Sequence, residues 1–91
     1  MFLEEAIHAE GSPELNMMIA HAHLNMENYA EAIHALNKIS DESALRDQKY
    51  WYLGLSNLKI GNKEKAVNHF NHLLSLSNFK KQEVEHILSS I

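Results

Sequence analysis

The chain has 91 residues, of which 45% are hydrophobic and 22% charged, as is typical of a single globular domain. Its net charge of -4 lacks the basic surplus of a general nucleic-acid binder, so we expect no nucleic-acid partner. The absence of cysteine excludes disulfides and thiolate metal sites. Apolar stretches are only a few residues long, and we therefore expect no direct membrane insertion.

The first five residues, Met1 to Glu5, have neither the basic region nor the long apolar run of a secretory signal. A cytoplasmic location is therefore favoured. The compartment itself stays unknown, because the chain could be a soluble fragment of a longer protein.

Apolar residues recur with helical spacing along the chain, and no segment alternates as a strand does. The first helix is predicted to begin at Ser12–Pro13, because Ser is a good N-cap and Pro suits the first helical position. The same spacing resumes after a pause near Asn28. The first two apolar stripes are Leu15, Met18, Ile19 and Ala22, and then Tyr29, Ala32, Ile33 and Leu36.

A polar break at residues 40–43 precedes a longer helical segment, which is predicted from about Ala44 to Ile60. Gly61 and Asn62 form the strongest turn signal, since Gly can close one helix and Asn can cap the next. Two further stripes follow, separated near residues 77–78. They consist of Ala66, Val67, Phe70, Leu73 and Leu74, and then of Val84, Ile87, Leu88 and Ile91.

An offset of 34 residues superimposes the second pair of helices on the first without a gap. Two pairs of small residues match, and the turns match with them. Small residues allow two antiparallel helices to approach closely, because one side chain at the crossing is nearly absent. The paired core-type positions are Ile19 and Leu53, Ala20 and Gly54, Leu24 and Leu58, Ala32 and Ala66, Ile33 and Val67, Leu36 and Phe70, and Ile39 and Leu73.

This pattern resembles the tetratricopeptide repeat, whose signature is W-x2-L-G-x2-Y followed by A-x3-F and P. The second unit reads Tyr50-x2-Leu53-Gly54-x2-Asn57 and then Ala66-x3-Phe70. It departs from the signature at Tyr50, at Asn57 and at Asn78, which stands where Pro is expected. The first unit is looser and reads Asn16-x2-Ile19-Ala20-x2-His23, then Ala32-x3-Leu36 with Ala44 for Pro. The resemblance implies an all-α fold of tandem antiparallel helical hairpins, an α-solenoid.

The register divides the chain into repeat 1 at 13–46, repeat 2 at 47–80 and a capping helix at 80–91. A capping helix is expected because a stacked repeat leaves its last apolar face open. Residues 1–12 form either the second helix of a partial upstream repeat or a simple N-terminal cap. Fewer than three repeats are usually unstable alone, so we expect that the chain continues upstream or self-associates. The apolar group of the N-terminal segment is Phe2, Leu3, Ala6 and Ile7.

Seven histidines raise the question of a metal site, but their spacing is poor for one. His69 and His72 are three residues apart and could chelate weakly, whereas His21 and His23 point to different sides of a helix. No His-Glu-x-x-His motif is present. We therefore expect solvent-facing histidines and no metal, with His23 partly in the core because it replaces an aromatic of the repeat.

Catalytic and nucleotide-binding motifs are missing as well. The sequence has no G-x-S-x-G elbow, no cysteine nucleophile and no phosphate-binding glycine loop. The adjacent acidic pairs do not face each other on a helix, so a solvated surface explains them. We therefore expect no enzyme and no cofactor.

The resemblance implies protein–protein interaction, with a peptide or a partner helix in a concave groove lined by the first helices of successive pairs. Trp51 is the most informative of the groove residues, because it lies outside the repeat's core pattern. It is either a partner anchor or packs on the N-terminal segment, on Met17 or on the capping helix. The alternative function is self-association as a homo-oligomer through the same groove. The groove residues are Met17, His21, Asn25, Trp51, Leu55 and Lys59.

The groove residues do not suit the carboxylate clamp with which some family modules bind chaperone tails. That clamp uses Lys, Asn and Arg, whereas Met17, His21, Trp51 and Leu55 hold those positions here. A more apolar contact is therefore expected, such as an amphipathic helix or a second copy of this chain.

Overall fold

A computed structural model describes residues 12–91, which form five α-helices and contain no strand. The predicted all-α fold is therefore confirmed. The apolar group predicted between Phe2 and Ile7 lies outside the described residues. The helices are α1 (Pro13–Asn25), α2 (Tyr29–Asn37), α3 (Arg46–Lys59), α4 (Lys63–Leu76) and α5 (Lys81–Ser90).

The first hairpin consists of α1 and α2. Pro13 is the first residue of α1, and the Ser12 hydroxyl accepts a hydrogen bond from the amide of Leu15 at 3.3 Å, which confirms the predicted start. The helix ends where Glu27 adopts a left-handed backbone with φ of 60°. The next amide, that of Asn28, donates to the carbonyl of His23 at 2.8 Å, which is the hydrogen bond of a Schellman turn.

The second hairpin, α3 and α4, repeats this turn 34 residues later. Gly61 is left-handed with φ of 84°, and the amide of Asn62 donates to the carbonyl of Asn57 at 2.8 Å. The Asn62 side chain accepts a hydrogen bond from the amide of Lys65 at 3.4 Å. Gly61 therefore closes one helix and Asn62 caps the next, as the sequence predicted.

The small residues lie at helix crossings, as predicted. Ala20, Ala32 and Ala66 are fully buried. A Cβ atom added to Gly54 would lie 2.5 Å from Cζ and 2.8 Å from Cδ1 of the Phe70 ring, so α3 has no room for a side chain there. The close approach of α3 and α4 depends on this vacancy.

The helices stack in chain order: α2 packs on α3, and α4 packs on α5. One apolar core runs through the stack, and its polar neighbours Asn16, Lys49, Ser56 and Asn57 are also buried. No helix within residues 12–91 is both long and apolar enough to span a membrane. The largest fully buried apolar side chains are Leu36, Ile39, Leu53, Phe70, Leu73 and Val84.

One predicted core position is wrong. Ile19 was matched with Leu53, but Ile19 is 39% exposed whereas Leu53 is buried. The reason is packing: α3 lies between α2 and α4, while α1 packs, among the described residues, mainly on α2. The buried residues of α1 are instead Asn16, Met17 and Ala20.

Candidate functional site

Three of the predicted groove residues follow one face of α3, because Trp51, Leu55 and Lys59 are spaced by four residues. Trp51 and Leu55 are half-buried against the core, and Lys59 is exposed. The centroid of the Trp51 ring lies 5.9 Å from that of the Phe70 ring. Trp51 is therefore held by α4 on one side while part of its surface stays open to solvent.

Lys80 adds a positive charge beside this aromatic ring. Its ammonium lies 5.2 Å from the Trp51 ring centroid and 5.7 Å from that of Phe79, within cation–π distance of both. Lys80 precedes α5 and has a left-handed backbone with φ of 52°. The residue that precedes α5 thus places a positive charge over the Trp51 ring.

The predicted residues of α1 divide into one buried and two exposed side chains. Met17 is only 7% exposed and belongs to the core cluster, so it offers a partner little surface. His21 and Asn25 are exposed. The His21 ring meets the Tyr52 ring edge-on, with centroids 4.7 Å apart, so the first helices of the two hairpins touch at this point, although each packs mainly on second helices.

We give the name inner face to the predicted groove residues that keep solvent-accessible surface, which are His21, Asn25, Trp51, Leu55 and Lys59. Tyr52 borders it, and sequence reasoning missed this residue. The 34-residue register pairs Tyr52 with Met18 and gives it no role. The ring contact depends on how α1 and α3 are placed relative to each other, which the register does not give.

A second group of polar residues fixes the connection between the hairpins. The Lys49 ammonium donates to the carbonyl of Ile39 at 2.6 Å and to the Asp41 carboxylate at 2.9 Å. The Tyr50 hydroxyl donates to the same carboxylate oxygen at 2.6 Å. We call Asp41, Lys49 and Tyr50 the loop clasp, since it binds the loop after α2 to α3.

The loop clasp shifts the acidity of its members. The hydrogen bond from Tyr50 and then that from Lys49 lower the pKa of Asp41. Burial, followed by the hydrogen bond to Asp41, raises the pKa of Tyr50 to about 12. Sequence reasoning missed the clasp, although a lysine at an otherwise apolar helix position and the hydroxyl of Tyr50 in place of Trp were signals.

Two histidine rings of α4 lie beside the Tyr50 ring. The ring centroids of His69 and His72 lie 5.8 and 4.5 Å from that of Tyr50. Burial lowers the pKa of His69, and the charges of Lys49, Lys65 and His72 lower it further. Within residues 12–91, no three metal-ligating side chains are grouped closely enough to hold an ion.

One face of α1 remains uncovered. Met18 is 68% exposed, and Ile19, Ala22 and Met26 are exposed on the same side of the helix. The equivalent residues of α3 include the buried Leu53 and Ser56. The helical spacing predicted this stripe, but not that it would face outwards in the part of the chain that the structure describes.

Hairpins that repeat at an offset of 34 residues, with matching turns and small residues at the crossings, define a tetratricopeptide-type helical repeat domain. The family model described as "Protein kinase G tetratricopeptide repeat" matches residues 2–78, which are 77 of the 91 residues. The chain therefore belongs to this tetratricopeptide repeat family, and the predicted resemblance is confirmed. Domains of this type generally mediate protein interactions.

The match with the family ends before α5 begins at Lys81. A search of curated proteins and a search of solved structures each found no match.

Proposed function

We propose that this domain binds a segment of a partner protein along the inner face and performs no catalysis. Trp51, which is half-buried and keeps part of its surface open to solvent, carries this proposal. A large aromatic that is fixed on one side by Phe70 offers contact area at little further cost in conformational entropy. Aromatic residues of this kind are enriched among those that dominate binding energy at protein interfaces.

The chemistry of the inner face selects the kind of partner. Trp51 and Leu55 supply an apolar strip, and Lys59 and Lys80 place positive charge near its two ends. None of the inner-face residues is acidic. An amphipathic helix whose apolar stripe is flanked by carboxylates would satisfy both features.

A pull-down from extracts with matched variants tests the role of the inner face. Trp51→Ala removes the anchor, and Lys59→Glu reverses an exposed charge without disturbing the core. Ile60→Ala is the control, since Ile60 is a similarly apolar, exposed residue at the end of α3 outside the inner face. We expect the same proteins to be enriched by the wild type and the control and lost with the other two variants.

Circular dichroism of each variant accompanies this experiment. Equal enrichment by all variants would contradict the proposal. Loss of the helical spectrum with Trp51→Ala would show that Trp51 belongs to the core. The binding of Lys59→Glu would then be the only test of the inner face. Retained binding by Lys59→Glu would in that case reject the inner face.

The exposed stripe of α1 supports self-association as a second candidate function. Met18, Ile19, Ala22 and Met26 contain no charge, so two copies can face each other across a two-fold axis without electrostatic repulsion. Exposed apolar surface of this kind is common at interfaces. Here the occupant is a second copy of the chain.

Sedimentation velocity across a concentration series separates the two candidates. If α1 forms the dimer contact, the average mass rises with concentration, and Met18→Glu abolishes the rise. Ile60→Glu places the same charge on an exposed apolar residue of α3 and serves as the control. A monomer at all concentrations would reject self-association and leave the inner-face proposal intact.

A further inference from the structure

A cavity of about 280 Å³ opens between three helices from both hairpins. We call it the amide pocket, because carboxamide side chains make up half of its lining. None of the inner-face residues lines it, so it is separate from the surface proposed to bind a partner. Its lining consists of Ile33 and Asn37 from α2, Asn57 from α3, and Lys65, Asn68 and His69 from α4.

The lining residues in the described part of the chain are rich in hydrogen-bond donors and include no carboxylate. Asn57 is only 3% exposed, and its side-chain nitrogen donates to the carbonyl of Leu53 at 2.8 Å. That bond uses one of the two hydrogens of the Asn57 amide. Because the amide group is planar, the bond also fixes the direction of the second hydrogen. Lys65, which also lines the pocket, supplies an ammonium group as a further donor.

The electrostatic field at His69 is positive. Burial lowers the pKa of His69, and the charges that lower it further all belong to basic groups, namely Lys49, Lys65 and His72. The ring of Tyr50 is its other titratable neighbour, whereas α2 contributes only the uncharged Ile33 and Asn37 to the lining. An anion in the pocket would offset this field and favour the imidazolium form of His69.

We propose that the amide pocket binds a carboxylate group. Its volume lies near the lower end of the range for small-molecule sites, which suits a short acid better than a large ligand. Ammonium and imidazolium groups pair with carboxylates through strong charge-assisted hydrogen bonds, and the amide of Asn57, fixed by its bond to Leu53, is a further donor for a carboxylate oxygen. The carboxylate belongs either to a free dicarboxylic acid or to a glutamate side chain of a bound peptide.

NMR titration of the 91-residue protein with succinate tests the proposal. We expect saturable shifts of the side-chain amide signals of Asn57 and Asn68, together with a rise in the pKa of His69. Lys65→Gln should weaken binding about tenfold, since one charged contact is lost. Lys63→Gln is the matched control, because it removes the same charge from α4 at an exposed position outside the lining.

Two parallel titrations identify the source and the chemistry of the anion. Tighter binding of an acetylated and amidated Ala-Glu-Ala peptide than of succinate would assign the carboxylate to a peptide. The reverse order would assign it to a free acid. Saturable binding of inorganic phosphate with no response to succinate or peptide would overturn the carboxylate assignment.

Other outcomes would reject the site itself. Amide shifts that do not saturate with succinate would show only a general attraction of anions to α4. Equally weakened binding in the Lys63 and Lys65 variants would show the same. An unchanged pKa of His69 at saturating succinate would also contradict the proposal.

Discussion

The two hairpins share one backbone pattern, but their first helices differ in how they are covered. α3 lies between α2 and α4 and buries residues on several sides, including the polar Lys49, Ser56 and Asn57. α1 buries only Asn16, Met17 and Ala20, and its second apolar face is open among the described residues. The sequence repeat therefore determines the turn and helix crossing within each hairpin. The position of a helix in the stack determines which of its faces are buried.

The largest expected effect is at Gly54, which lies against Phe70. The equivalent residues of the first hairpin are Ala20 and Leu36. Gly54→Ala places a Cβ against a fully buried ring. Overpacking costs ~1–3 kcal/mol, and contacts this short place the cost near the upper end. Helix propensity returns about 1 kcal/mol, so we expect a net loss of about 2 kcal/mol in the free energy of unfolding.

Urea denaturation measures this loss, and a double-mutant cycle with Phe70→Leu supplies the control. Gly54→Ala should cost much less in the Phe70→Leu background, because that pair copies the first hairpin. Equal costs in both backgrounds would show that the ring is not what excludes a side chain from position 54.

The loop clasp should produce the next largest effect. Asp41→Ala leaves the Tyr50 hydroxyl without its acceptor and Lys49 with only the carbonyl of Ile39. We expect a loss of about 1–2 kcal/mol in urea denaturation, since hydrogen bonds to charged groups are involved. A loss no greater than that from Glu42→Ala, an exposed acid in the same loop, would show that the clasp does not stabilise the fold.

The clasp also predicts how stability depends on pH. The pKa of Tyr50 is raised from 10.0 to about 12, so its contribution is complete below pH 10 and is lost as the pH rises towards 12. The pKa of Asp41 is lowered, so its contribution is present above its ordinary value of 3.8 and is lost as the pH falls through the lowered pKa. Thermal unfolding between pH 9 and 12 should show a shallower decline for Tyr50→Phe than for the wild type, whereas Tyr29→Phe should follow the wild type.

Substitutions in the two turns should change the free energy of unfolding by smaller amounts and in opposite directions. Glu27 and Gly61 are both left-handed, and only glycine adopts that conformation without a steric penalty. Glu27→Gly should therefore stabilise the chain, and Gly61→Ala should destabilise it, each by about 1 kcal/mol. Among residues 12–91, no atom lies within 4 Å of a Cβ placed on Gly61, so the backbone conformation determines the sign. Effects of the same sign in thermal unfolding would contradict the equivalence of the two turns.

The smallest effect is expected at Ser56, whose counterpart in the first hairpin is Ala22. The Ser56 hydroxyl is buried and has no hydrogen-bond partner within residues 12–91. Ser56→Ala removes an unsatisfied group from the core and should stabilise the chain by up to about 1 kcal/mol. A destabilised Ser56→Ala variant in urea would mean that the hydroxyl is bonded in solution.

Local signals along the chain predicted the turns well. Ser12–Pro13 and Gly61–Asn62 determine backbone geometry through their own conformations and hydrogen bonds, so the two features could be predicted residue by residue. The crossing at Gly54 was also predictable, because it depends on one pair of neighbouring helices.

Features that depend on the placement of whole helices could not be predicted. The exposure of Ile19 and the burial of Met17 follow from which side of α1 is covered, and an apolar residue type is compatible with either. The amide pocket brings together residues from three helices, and five of its six lining residues are polar side chains that meet only when those helices are in place. The side chains of the loop clasp likewise meet only after the loop has folded back on α3.

The most direct measurement of the central claim is a solution NMR structure of the 91-residue chain. We predict that residues 13–37 superimpose on 47–71 as matching hairpins, with left-handed backbones at positions 27 and 61. Hairpins that do not superimpose, or turns of different geometry at those two positions, would contradict the repeat and every surface derived from it.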